Sequence, residues 1–304
     1  MLCAAVLSGF ASFATASLPA SAQDEVIHVG SAGKEADAQV YYAIDMGFFK
    51  QAGLNVEVET LPNGSAVAAA VASGALQIGD SNTLSLAVAR ERGLPFALIA
   101  PGAEYRSDSP ATLLVVAADG PIKSLRDMQG KTIAGASIGG LDQVSIEAWA
   151  DVNHLDYKSM KYIELPPGSM IPALQRGTIA AASVADPSLT AALDLKQVRV
   201  LSPNYDAIGK TFMWTVWFST STWAADNPVL VKKFAAVMVQ TALWANANHA
   251  KAASILFKYT KFDAHESHVK FATKLDPAEI QTVLDAAYRY KAIKTEMKAA
   301  ELMK

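Results

Sequence analysis

The feature that most constrains this chain is a repeated alternation of short β-rich runs with helical stretches, the rhythm of βαβ units that bury parallel strands beneath helices. In the first third, residues 26–30, 54–60, 77–79 and 95–100 read as strands, and 36–52, 65–73 and 83–92 as helices. Gly53, Gly74 and Gly93 stand where a residue of left-handed conformation ends a helix without steric cost. After Asp108, Ser109 and Pro110, an apolar β run covers 111–118 and the rhythm restarts. Strands are expected at 131–135, 160–164, 180–184 and 198–201, with helices at 141–152, 169–176 and 188–193. One more β-rich run covers 212–220, and helices are expected at 229–248, 249–260, 263–273 and 276–303. A chain that builds half a lobe, leaves to build a second and returns accounts for this order. Lobe I is then 23–112 with 206–304, and lobe II is 113–205. No internal repeat points to a solenoid.

The N-terminus bears on location. Residues 1–23 carry no charge, run apolar and small over 2–16, and end in Ala20, Ser21 and Ala22, an A-x-A cleavage signature. A signal peptide of residues 1–22 is expected, exporting the chain to the periplasm. No Lys or Arg precedes the apolar run, so a start further upstream is left open. The one cysteine, Cys3, falls in this segment, which leaves the exported chain without a disulfide or a thiol nucleophile. Of the 304 residues, 51% are hydrophobic and the formal charge is only −3, with no basic run. Neither nucleic acid nor an anionic membrane surface is therefore an expected partner, and the ligand should be small.

Particular residues add to the rhythm. The stretch 41–57, with Gly47, Phe48, Phe49, Gly53, Leu54, Val56 and Glu57, resembles the G-F-F-x-x-x-G-L-x-V-E signature of nitrate/sulfonate/taurine-type substrate-binding proteins of ABC importers. The resemblance continues through Asn63-Gly64-Ser65, 72–79, 92–95, 123–131, 173–177 and Asp186-Pro187, so that it covers about residues 26 to 260. Gln77 stands where the family usually has Asp, and Asp186 where it often has Glu. The resemblance implies an α/β fold: a two-lobed, type II periplasmic-binding-protein fold. Each lobe is a mainly parallel sheet flanked by helices, and the chain crosses the hinge twice. It also implies a periplasmic solute-binding component that captures a small organic anion, of sulfonate or carboxylate type, and delivers it to a membrane permease and its ATPase. A monomer suits that shuttling, and no cofactor is implied. From the residues themselves, the Gly47–Phe49 motif is a packing and turn device, both rings going under the sheet.

In open α/β sheets, ligands sit beyond the carboxyl ends of strands, where helix N-termini favour negative charge. Four loops qualify here. They are Ser31 to Lys34 with Ser31 and Gly33, the turn Asn63 to Ser65 with Gly64 and Ser65, the loop Asp80 to Thr83 with Ser81, Asn82 and Thr83, and the loop Ala136 to Gly140 with Ser137, Ile138, Gly139 and Gly140. In the last, two glycines let backbone approach a ligand, so that Ser137 and the amides of 139–141 are the expected oxyanion cradle. Arg106 is a candidate for bidentate pairing with the anion, the alternative being a solvated loop arginine. Tyr41 and Trp214 are candidates to wall the ligand. Trp214 and Trp217, an odd number apart, face opposite ways on a regular strand, so only one meets the cleft. Asp186 either accepts a hydrogen bond from the ligand or caps the helix after it. His265 and His268 are spaced for a metal on a helix but lack a third ligand, and no metal is expected.

Two other functional classes remain open at this point. The resemblance extends to a binding protein for a thiamin-precursor pyrimidine and to enzymes of the same fold, although a cysteine-dependent desulfinase is at odds with a chain whose only thiol is Cys3. A sensory ligand-binding domain would ordinarily bring an anchor, and the last 75 or so residues read as soluble amphipathic helices.

Overall fold

The computed structural model describes residues 26–261 and 267–303, so the signal peptide expected at 1–22 and His265 lie outside the described residues. The chain begins with β1 (Val26–Ser31), β2 (Asn55–Thr60), β3 (Ile78–Asn82), β4 (Phe96–Pro101) and β5 (Ala103–Arg106). It then crosses to β6 (Thr112–Ala117), β7 (Thr132–Gly135), β8 (Lys161–Glu164), β9 (Ala181–Ala185) and β10 (Val198–Ser202). It returns through β11 (Thr211–Met213), β12 (Thr215–Thr220) and β13 (Lys270–Phe271).

Two five-stranded sheets result, ordered β2-β1-β3-β12-β4 and β8-β7-β9-β6-β10, and they share one topology. In each, β1 or β7 pairs in parallel with both neighbours. One strand in each sheet runs against the rest: β12 is antiparallel to β3 and β4, and β6 to β9 and β10. These odd strands are the ones that enter a sheet from the other lobe, so antiparallel pairing marks each hinge crossing. At one edge of its sheet β4 is an apolar run with all six residues buried, whereas β2 at the other edge alternates Val56 and Val58 with the more exposed Asn55, Glu57 and Glu59.

At the hinge a third sheet, β11-β5-β13, pairs the outgoing segment with the returning one. Its rigidity comes from side chains as well. The Tyr105 hydroxyl donates to Asp206 Oδ1 at 2.8 Å, Ser107 Oγ donates to Asp206 Oδ2 at 2.9 Å, and Asn246 exchanges two hydrogen bonds with the backbone of Phe271 at 2.8 and 2.9 Å.

Several elements depart from the expectations. The helix expected over 36–52 breaks at Gly47, whose φ of 71° turns the chain between Gln39–Asp45 and Phe48–Gln51. Of the two rings there, Phe49 is buried, stacked 5.7 Å from Phe234, whereas Phe48 is only half-buried at the edge of the core. The run 212–220 divides at Trp214 into β11 and β12, and strand β13 lies in the range expected as helix 263–273. The C-terminal helix ends at Arg289, with a short helix following at Ala299–Leu302. The helix Pro228–Ala245 packs its buried Phe234, Val237 and Met238 on lobe I, Phe234 meeting the edge of Trp217 at 5.6 Å.

Candidate functional site

A cavity of about 240 Å³ lies between the two sheets, at the carboxyl ends of β1, β3, β7 and β9. Its walls are built by the same device in both lobes. After β1, the carboxylate of Asp37 accepts hydrogen bonds from Ser31 Oγ at 2.9 Å, from the Lys34 amide at 2.8 Å, and from the Ala32 amide. After β7, Asp142 accepts from the Ala136 amide at 2.9 Å, from Ser183 Oγ at 2.9 Å, and from the Tyr205 hydroxyl at 2.8 Å. Each clamp joins a strand end to an aspartate at the start of the following helical segment, which fixes the loop between them. The first clamp bends the chain through Gly33, at a φ of 68°, and turns Gly33 and Lys34 to the cavity.

Of the residues singled out from the sequence, Gly33, Gly64, Ser81, Asn82, Ser137, Asp186 and Trp214 line this cavity. At Gly64 the chain approaches the β3 loop closely, since a Cβ there would stand 2.6 Å from Ser81 Oγ and displace that hydroxyl. Trp214 bridges β11 and β12, held by its amide donating to Ala103 O at 2.9 Å, and its ring meets Tyr205 edge-on at 5.9 Å. Trp217 is buried in the core instead, its indole N–H donating to Gln39 at 2.8 Å. Asp186 is tied to the helix that follows it and also faces the cavity. Its Oδ1 accepts from the amide and hydroxyl of Thr190, at 3.0 and 2.7 Å.

The others lie outside the lining, each for a physical reason. Ser31 is buried behind the loop with its hydroxyl spent on Asp37, and Thr83 spends its own on Met213 O at 2.7 Å. Tyr41 bonds Thr60 at 3.0 Å and stacks on Tyr259 at 5.0 Å. Arg106 is claimed by two carboxylates, Asp108 at 2.8 Å and Glu104 at 3.3 Å, and does not line the cavity. Ser65, Ile138, Gly139 and Gly140 line a neighbouring groove, with Ile138 66% exposed. The expected oxyanion cradle is also partly filled from within, because the Gly139 amide donates to Gln143 at 2.9 Å and the Gly140 amide to Ser137 O at 3.4 Å.

Sequence reasoning missed Asp37, Asp142, Tyr205 and Thr215 as lining residues, while Asp80 lies in the expected loop 80–83 without having been singled out there. No local signal marked Asp37 and Asp142, because their common offset of six residues from Ser31 and Ala136 becomes visible only once the loops have folded back. Electrostatically the cavity is acidic, with Asp37, Asp80, Asp142 and Asp186 in its lining against Lys34. Burial raises the pKa of Asp37, with Lys34 and the Ser31 hydroxyl opposing. Burial likewise raises Asp80, the Asp37 charge adding to it while Thr215 and Lys34 oppose. Asp186 is raised by burial against its Thr190 hydrogen bonds. Among the described residues no three His, Cys, Asp or Glu side chains converge as metal ligands.

This topology and cavity can be compared with known proteins. Residues 36–252, well over half the chain, match the family described as NMT1/THI5-like. The chain belongs to the NMT1/THI5-like family. A relative in that sense is the taurine-binding periplasmic protein of Escherichia coli K12, 28% identical over 195 residues. That alignment takes in 63% of this chain and 58% of the relative's length. Among solved structures, the periplasmic aliphatic sulphonate binding protein of Escherichia coli superposes with a TM-score of 0.72 at 17% identity, covering 92% of both chains. The periplasmic nitrate-binding protein of Synechocystis PCC 6803 gives 0.76 at 13% identity, with 92% of this chain and 85% of that one covered. At such identities these likenesses establish the fold, the two-lobed α/β architecture of periplasmic binding proteins.

Proposed function

We propose that this NMT1/THI5-like protein is the periplasmic solute-binding component of an ABC importer, closing lobe I (23–112 and 206–304) and lobe II (113–205) over a small organic acid. The observation that carries this reading is the cavity between two sheets of identical topology, walled by strand-end loops from both lobes and joined by a two-crossing hinge. Nothing beyond closure is required: a solute that touches both lobes favours the closed state, and the membrane permease, backed by its ATPase, reads that state. Residues 1–22 act as a cleaved export signal, and the protein works as a monomer, binding rather than converting its ligand.

An acid of sulfonate or carboxylate type is favoured by the family's curated relative, which binds taurine, and by the cation Lys34 at the rim of a site furnished with Ser81, Ser137, Ser183 and Ser188. Trp214 and Tyr205 supply the apolar wall against which an organic skeleton packs. The test is thermal melting of refolded, ligand-free protein with sulfonates, carboxylates, nitrate and pyrimidines. A solute that raises the melting temperature saturably and is recovered unaltered supports transport binding. A pyrimidine shifting it alone would move the assignment to a thiamin-precursor carrier, and chemical conversion of the solute would make the protein an enzyme.

A further inference from the structure

Beside the cavity lies a second hollow, a groove of about 260 Å³ that takes residues from both lobes. Lobe I supplies its walls from the helices Gly64–Ala72 and Thr83–Glu91 and from the turn after the second. These walls are largely apolar, made by Ala68, Ala69, Leu84, Val88, Ala89 and Leu94. Lobe II contributes the loop 137–140. There Ile138 is 66% exposed, so it borders the groove without filling it.

A lone exposed isoleucine is ordinary on a protein surface. Three features set this one apart. The loop is braced, because the Gly139 amide donates to Gln143 Oε1 at 2.9 Å and Gln143 Nε2 donates to Glu147 Oε1 at 2.8 Å, both partners standing on the helix Leu141–Val152. A side chain carried on a braced loop loses little further freedom when it is buried. Leu141 and Val144, one and two turns further on, are already packed in the core of lobe I, so the loop stands where lobe II leans on lobe I. Ser137, the neighbour of Ile138, lines the cavity as well as the groove, so a movement of this loop that narrows the cavity carries Ile138 with it.

Resting on the reading of the protein as a solute binder that closes, we infer that Ile138 is a latch for the closed state: as the lobes approach, its side chain enters the groove and packs on the apolar walls of lobe I. The latch touches no solute. It shifts the balance between open and closed forms, and it raises affinity by the burial of one aliphatic side chain, independently of which solute is held. The rival occupant of the groove is an apolar side chain of the permease. In that case Ile138 matters to transport and leaves binding by the isolated protein unchanged.

Two measurements test the latch, and the first needs no solute. The chain has a single cysteine, Cys3, in the expected export signal, so the double variant Ile138→Cys with Val88→Cys, made without residues 1–22, carries only the introduced thiols. Disulfide formation demands Cβ atoms within about 4.5 Å, so joining reports that the loop has reached the wall. Mild oxidation of the refolded double variant is expected to join the two thiols within one chain, and the joined protein is expected to have a smaller radius of gyration than the same protein after reduction. Thiols that stay unjoined while a small maleimide labels both, or joining without contraction, overturn the latch.

The second is calorimetric titration of native protein, Ile138→Ser and Ile138→Leu with taurine, methanesulfonate and acetate. For whichever of these binds, Ile138→Ser is expected to lower affinity about tenfold, mainly through faster dissociation, and Ile138→Leu to stay within about threefold of native. The solute-free melting temperature of Ile138→Ser should match the native value, since the side chain is exposed in that state. Native affinity in Ile138→Ser overturns the latch, gives the groove to the permease, and leaves the solute-binding reading intact. Binding by none of the three counts against that reading, and the cross-link then decides the latch by itself.

Discussion

At the scale of single residues, what separates site from scaffold is which partner claims each polar group. Arg106 looks like an anion receptor in one dimension, but Glu104 and Asp108, two residues away on either side, take its guanidinium. Arg106→Ala is accordingly expected to leave solute affinity within about twofold and to cost less than about 1 kcal/mol, as partly exposed ion pairs do; a loss of binding by titration would restore Arg106 to the site. The acidic cleft has its own signature. Burial raises the pKa of Asp37, Asp80 and Asp186, and of Glu35, so the folded protein holds protons that the unfolded chain releases. Their favourable contribution is complete below the ordinary carboxylate range and is lost as pH rises through the elevated values. Ligand-free protein should therefore melt at a higher temperature near pH ~5 than near pH ~8, and Asp80→Asn should flatten that slope. Carboxylates lowered by exposed partners, such as Asp108 and Asp276, act in the opposite sense only at more acid pH. A melting temperature that climbs steadily from pH ~5 to ~8 would contradict this balance.

At the scale of elements, Gly102 joins β4 to β5 at the root of the hinge, where a Cβ would stand 2.7 Å from the carbonyl oxygen of Thr215. Backbone cannot yield as a side-chain tip does, so Gly102→Ala is expected to cost about 1–3 kcal/mol in urea denaturation; an unchanged midpoint would show that the hinge sheet tolerates displacement there. The βαβ rhythm of both lobes was legible because long apolar runs and capping glycines are local signals. The hinge sheet was not. Its strands β5, β11 and β13 have four, three and two residues and exist through pairing with distant segments, which no local pattern encodes. Half of the candidate site was readable for the same reason: strand-end loops can be located from rhythm, and they hold Gly33, Ser81, Asn82, Ser137 and Asp186. Asp37, Asp142 and Tyr205 were not readable, since their place in the wall depends on hydrogen bonds formed only after the loops fold back. Strand alternation allowed only one of Trp214 and Trp217 to meet the cleft and Trp214 was preferred as the nearer to the crossover, whereas in the structure the strand is interrupted at Trp214, which lines the cavity.

At the scale of the whole molecule, the two lobes are joined by the hinge strands and by a second, exposed tie in which Arg289 and the Tyr290 hydroxyl both donate to Asp151 Oδ2 at 2.9 Å. A surface tie of this kind is weak, so the relative position of the lobes is set by the hinge, by the packing of Leu141, Val144 and Tyr205 into the core of lobe I, and by whatever occupies the cavity. The central claim is that a solute is held between the lobes and favours their approach. Small-angle X-ray scattering from refolded protein, free and saturated with the solute found by thermal melting, tests it most directly. The account predicts a smaller radius of gyration in the saturated protein, with the contraction tracking occupancy. Full occupancy with an unchanged radius would contradict it, placing the solute on one lobe alone and removing closure as the signal to a permease.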